Sequence, residues 1–200
     1  MRYAFIDTQN TESTTNKILG FVVDWHKLFK YLKNEWKCEK IFFYSGIQQN
    51  DENIANEYAN LSKLGYIVRA KSYFIYKNKD ELIKLNCSHC KTEIVHRINR
   101  GVKWKSNCDV ELSVDAKNYT KTGDEILIFS GDGDFEYLIR DLIGIGVKVY
   151  IVSNAKKIQI APRYFISRFS TKLRTLIAKE SKKVFFLDIN DWKIKIKKDI

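Results

Sequence analysis

The segment Glu125-Ile-Leu-Ile-Phe-Ser-Gly-Asp-Gly-Asp-Phe135 limits the folds open to this chain more than any other. Four consecutive apolar residues, Ile126 to Phe129, are too few for a helix core and read as a buried parallel strand. The strand empties into Ser130-Gly131-Asp132-Gly133-Asp134, and Phe135, Leu138, Ile139 and Leu142 then recur at helical spacing. A strand running through a glycine-rich turn into a helix is the repeating unit of open α/β sheets, whose ligands sit outside the carboxyl ends of the strands. Two carboxylates at that position suit a hard divalent cation or an acid/base pair. The alternative is a capping turn, in which Asp132 or Asp134 accepts backbone N–H groups.

Similar alternation runs through the rest of the chain. Arg2–Ile6 reads as a first strand, followed by a polar loop from Asp7 to about Asn16. Trp25, Leu28, Phe29, Leu32 and Trp36 define an amphipathic helix over about 23–36, and Lys40–Tyr44 a second strand. A helix over 53–64 ends at Gly65, a C-cap candidate, and 66–76 reads as one long strand. A helix from Cys108 to about Tyr119 carries Val110, Val114, Ser113 and Ala116. Val147–Val152, a helix over 171–179 and a strand over 184–187 complete the pattern, while Lys193–Lys198 alternates like an edge strand. The expected fold is a three-layer α/β/α sandwich with a mainly parallel sheet. Residues 1–170 form its domain, with 77–105 as a basic, cysteine-containing insertion or two-stranded flap. Residues 171–200 add a helix and strand packed on the same domain.

Thirty-five Lys and Arg against 24 Asp and Glu give a net charge of +11, which favours polyanionic partners, nucleic acid first. A solvated lysine-rich surface is the plainer account of that charge. No segment approaches the roughly 20 apolar residues of a membrane span, and Met1–Asp7 is too short an apolar run for a signal peptide. A cytoplasmic location is expected, with the four cysteines as reduced thiols or metal ligands.

Acids recur where strands end or helices begin. Asp7 follows the first strand, Asp109 opens the central helix, and Asp132 and Asp134 follow the glycine turn. Mg²⁺ and Mn²⁺ take carboxylate and amide oxygens, and such ions activate water and stabilise leaving oxygens in phosphodiester hydrolysis. Asp115 lies about 120° around the helix from Asp109, so the two need not share an ion.

Asp7-Thr-Gln-Asn10, Cys108-Asp-Val-Glu-Leu-Ser-Val-Asp-Ala116 and Ser130-Gly-Asp-Gly-Asp-Phe135, in this order and spacing, resemble the NYN domain family. That family includes the LabA-like proteins and belongs to the PIN-like nuclease superfamily. The Gly144-Ile-Gly-Val-Lys-Val149 turn fits the same pattern, and the resemblance spans about 1–170. It implies a PIN-like sandwich and metal-dependent endoribonuclease chemistry, with Mg²⁺ or Mn²⁺ held by Asp7, Asp109, Asp132 and Asp134. Asn10 is then the amide partner, and Asp115 also matches. The approach to the central acid, Lys105-Ser-Asn-Cys-Asp109, lacks the glycine that the family often carries there. A phosphatase of haloacid-dehalogenase type would need an acid two residues after Asp7, where Gln9 stands. A non-catalytic RNA-binding or scaffold module with the same fold is the reading from another class.

Cys87-Ser-His-Cys90 is half of a zinc site; Cys87, Cys90, His96 and Cys108 could supply four ligands, with His89 as a substitute. Free thiols in a loop are the plainer reading, and pairing of two copies through their C-x₂-C motifs, a homodimer, is a third. Arg97, Arg100, Lys103, Trp104 and Lys105 combine phosphate-neutralising cations with one stacking ring and suit single-stranded or looped RNA. Trp104 as a core anchor is the alternative. Lys156, Lys157, Arg163 and Arg168 form a second candidate basic rim.

Overall fold

In a computed structural model, residues 1–48 and 51–199 are described, with the side chains of Lys103, Trp104, Lys105 and Ile160 left out. Six strands make one parallel sheet: β1 (Arg2–Asp7), β2 (Lys40–Ile47), β3 (Tyr66–Ser72), β8 (Glu125–Phe129), β9 (Lys148–Ser153) and β12 (Val184–Asp188), in the order β12-β9-β8-β1-β2-β3. The helices are α1 (Thr8–Lys17), α2 (Trp25–Asn34), α3 (Glu52–Leu64), α4 (Asp109–Tyr119), α5 (Glu136–Gly144), α6 (Thr171–Lys179) and the short α7 (Lys193–Ile196).

Alternation along the strands divides the core into two layers. Tyr3 and Phe5 of β1, Phe42 and Tyr44 of β2, and Ile126 and Ile128 of β8 face α4, α5 and α6. Their neighbours Ala4, Ile6, Ile41, Phe43, Leu127 and Phe129 face α2, α3 and α7. The two-residue period of a strand sends successive side chains to opposite faces. Strands with an unbroken apolar interior, such as β1 and β8, must therefore be covered on both sides. The result is the expected three-layer α/β/α sandwich.

Some elements differ from the sequence expectation. The stretch after Asp7 is a helix, α1, whose buried face consists of Thr8, Thr11, Thr14 and Thr15. A helix seated on threonines has no apolar period to read, and Asp7 starts it by accepting the Asn10 N–H. The strand expected over 66–76 breaks at Tyr73, so β3 stays in the sheet while β4 (Phe74–Lys77) leaves it. Residues 193–198 do not form an edge strand: α7 buries Ile196, and Lys197 bridges Val23. On α4 the packed residues are Leu112 and Ala116, whereas Val110 and Val114 are exposed.

The insertion is a two-stranded arm. Its base pairs β4 with β7 (Val102–Lys105) and its outer part pairs β5 (Glu81–Asn86) with β6 (Glu93–Ile98), both antiparallel. The Asn78 N–H to Gly101 carbonyl bond joins the two ladders. A second hairpin, β10 (Lys157–Ala161) with β11 (Tyr164–Ser167), stands between β9 and α6.

Candidate active site

Chain connections diverge between β1 and β8: β1 is followed in the sheet by β2 on one side, and β8 by β9 on the other. This reversal opens a crevice at the carboxyl ends, the usual binding position in α/β sheets. A cavity of about 180 Å³ lies there, lined by Asp7, Asp109, Asp132 and Asp134 together with Tyr44 and Ser45. Asp7 arrives at the end of β1, Asp109 on the first turn of α4, and Asp132 and Asp134 in the turn after β8.

Each acid is held by its local backbone. Asp7 Oδ1 accepts the Asn10 N–H at 3.1 Å, and Oδ2 accepts the Ser130 hydroxyl at 3.1 Å. Asp132 Oδ1 accepts the Asp134 N–H at 3.0 Å, so the capping reading of this turn and its place in the cavity are both realised. The Asp109 N–H donates to Asn107 Oδ1 at 2.8 Å, and Ser113 donates to the Asp109 carbonyl at 2.7 Å. Asn10 does not line the cavity; its Oδ1 accepts the Gly131 N–H at 2.9 Å and braces the glycine turn. Gly131 is pressed against the Arg168 carbonyl and Ser153, and Gly133 against Ser170, so a Cβ at either would collide.

Asp7 is half-buried, and burial pushes its carboxyl up to about 6. The Asn10 N–H and Ser130 hydroxyl oppose that rise, while Asp109 and Asp132 add to it as like charges. Among the described residues the carboxylates of the cavity lining are these four acids. Hard oxygen donors with an excess of negative charge fit Mg²⁺ or Mn²⁺. As the side chains stand, no three His, Cys, Asp or Glu groups among the described residues converge closely enough to ligate one ion.

Asp115 lies outside the cavity. Its Oδ2 accepts from Arg69 Nε at 2.9 Å and from the Tyr44 hydroxyl at 3.0 Å. Burial, with Asp115 beside it, holds the Tyr44 hydroxyl far above the usual phenol range, so it remains a donor. Asp115 thus orients a wall residue. Sequence reasoning assigns no site role to Tyr44, Ser45 or Ser130, although Tyr44 closes the second strand and Ser130 opens the Ser-Gly-Asp motif.

The four candidate zinc ligands do not come together. Cys87 and Cys90 lie at the tip of the arm, and His96 lies on β6 opposite Ile83. Cys108 lines the acidic cavity at the base, within hydrogen-bond reach of the Ser45 carbonyl, and burial raises its thiol pKa. Arg97 is exposed and pairs with Asp80, and Arg100 with Glu81. The side chains of Lys103, Trp104 and Lys105 lie outside the described residues. Lys156, Lys157, Arg163 and Arg168 are exposed; Arg168 and Lys172 line a shallower cavity that adjoins Asp132 and Asp134.

Residues 3–170 match the NYN domain. The chain belongs to the NYN domain family. These are nuclease-type domains of PIN-like architecture, and the six-stranded parallel sheet agrees with that class. The chain is 28% identical over 153 residues to the low amplitude and bright protein LabA of Synechococcus elongatus, covering 74% of this chain and 71% of that protein. It is also similar in fold to a Vibrio parahaemolyticus protein of unknown function, with a TM-score of 0.60 and 21% identity over 95% of this chain and 93% of the other. In this NYN domain the strand β12 and helix α6 continue beyond the matched segment, and β12 completes the sheet beside β9. No helix among the described residues is long and apolar enough to cross a membrane.

Proposed function

We propose that this NYN domain is a metal-dependent endoribonuclease that hydrolyses phosphodiester bonds of single-stranded or looped RNA. The observation that carries the reading is the meeting of Asp7, Asp109, Asp132 and Asp134, from three separate segments, in one cavity. These four would hold Mg²⁺ or Mn²⁺, which when bound supplies water activation and leaving-oxygen stabilisation. The chain's own groups do the remaining work. Ser130 and the Asn10 N–H keep Asp7 oriented, and Asp132 holds its own turn through the Asp134 N–H. Arg168 and Lys172, beside Asp132 and Asp134, would receive the phosphates flanking the scissile one. Exposed Tyr137 follows Asp134 by three residues and offers a stacking face to an unpaired base.

The competing reading, an RNA-binding or scaffold module without turnover, draws support from the absence of a ready three-ligand cluster among the described residues. A mixed panel of RNA and DNA incubated with Mn²⁺ separates the two. Wild type is expected to cut RNA internally, while Asp132→Asn loses at least about 100-fold in rate, the scale of losing one transition-state-stabilising group, and still binds. Equal cleavage by both proteins, or none by wild type, would overturn the nuclease reading.

A further inference from the structure

The arm ends in a feature that the acidic cavity does not use. The turn Ser88–Lys91 is closed by two backbone bonds, from the Cys87 N–H to the Thr92 carbonyl at 2.9 Å and from the Lys91 N–H to the Cys87 carbonyl at 3.0 Å. Lys91 takes the left-handed conformation, φ 61°, which a lysine adopts only when the surrounding turn imposes it. Such a pinned turn brings Cys87 and Cys90 together: the two thiols interact, and Cys90 Sγ lies 3.2 Å from Thr92 Oγ1.

Register then decides what accompanies the thiols. Cys87 lies two residues beyond Leu85 and therefore on its face, and Leu85 is directly opposite Ile94. Leu85 is 56% exposed and Ile94 54%, on a two-stranded ribbon with no covering layer among the described residues. Cys90 is exposed and Cys87 partly so. Zinc bound by thiolates is almost always four-coordinate, yet among the described residues the pair finds no further ligand, His89 of the same turn included. Cys108 is at the arm's base, Cys38 is buried in the core beneath α2, and His96 is four residues down β6 from Thr92, roughly 13 Å at strand rise. No third His, Cys, Asp or Glu joins the pair among the described residues.

We propose that Cys87 and Cys90 form half of a structural zinc site completed by Cys87 and Cys90 of a second copy, so that one zinc ion joins two arms tip to tip. Each thiol gives its proton to solvent as the zinc–sulfur bonds form, and no electrons are transferred. Four thiolates around Zn²⁺ leave a charge of −2, which the Lys91 ammonium of each copy, held over its turn by a bond to the Ser88 carbonyl at 3.1 Å, is placed to offset. The junction also covers the Leu85–Ile94 faces. The inference does not depend on nuclease activity.

Zinc content by mass spectrometry and mass by sedimentation equilibrium test it on the full chain. Wild type is expected to hold half a zinc ion per chain and to have twice the monomer mass. A chelator should return it to monomer, and zinc should restore the dimer. Cobalt(II) in place of zinc should give a thiolate-to-metal charge-transfer band. Cys90→Ser and Cys87→Ser, both at an exposed tip, should each be folded by circular dichroism, zinc-free and monomeric, whereas Cys108→Ser keeps both the zinc and the dimer. One zinc per monomer, a dimer that survives chelation, zinc retained by Cys90→Ser, or no zinc uptake under reducing conditions would overturn the proposal.

Discussion

Asp7 stores an electrostatic cost at the centre of the molecule. Its folded pKa, about 6, exceeds the ordinary 3.8, so the native state binds its proton more tightly than the unfolded chain does. The destabilisation is full above pH 6, fades as pH falls through 6, and is gone below 3.8. At 1.36 kcal/mol per pKa unit this amounts to at most about 3 kcal/mol. Asp7→Asn should therefore raise Tm at pH 8 by several degrees and lose that advantage at pH 4; an equal gain at both pH values would exclude the electrostatic cause. Mn²⁺ should raise the Tm of wild type at pH 8 and leave Asp7→Asn almost unmoved, a test of ion binding that needs no turnover. Gly131 shows the opposite economy, since its missing Cβ lets the Arg168 carbonyl approach. Gly131→Ala should cost about 1–3 kcal/mol in chemical denaturation. At this scale the acids were legible from the sequence because carboxylates beside glycines suit packing poorly. Asp115 shares the motif, and Arg69, distant in sequence, reaches it across the sheet edge.

Among the elements, the strands of the parallel sheet and α2, α3, α5 and α6 could be read from apolar periodicity, although α3 buries only Leu61. Helix α1 could not, because threonine hydroxyls replace an apolar stripe: Thr8 donates to the Tyr44 carbonyl at 2.9 Å and Thr11 to the Asp7 carbonyl at 2.7 Å. The arm is legible only as an interruption of the pattern. Its strands expose Phe74, Ile75, Tyr76, Leu82 and Val95, so little core depends on them. Replacing 78–101 with a two-residue turn should leave the Tm of the sandwich within a few degrees, as loop changes outside a core generally do. The same deletion should abolish the zinc-linked dimer. A large loss of Tm in the monomer would show that the arm supports the sheet.

For the whole molecule, a charge of +11 would set the character of the proposed RNA binding. Affinity for single-stranded RNA should fall linearly in log–log form with salt, with a slope of about −0.7 per neutralised phosphate. Arg168→Ala with Lys172→Ala should flatten that slope by about one to two phosphates, measured by fluorescence anisotropy. An unchanged slope would remove the rim beside Asp132 from the RNA path. The three-layer architecture itself followed from local chemistry: strands with an unbroken apolar interior require cover on both faces, and alternating helices provide it. Sequence order alone also specified that Asp7 ends a strand and that Asp132 lies in the turn after one, because a strand's end is a local event. That β1 and β8 lie side by side, that α4 delivers Asp109 to the same crevice, and that the cysteines of the arm stay far from Cys108 were decided by the tertiary structure. The pairing of β1 with β8 joins residues more than a hundred positions apart, such as Arg2 and Glu125, and no local pattern encodes that distance.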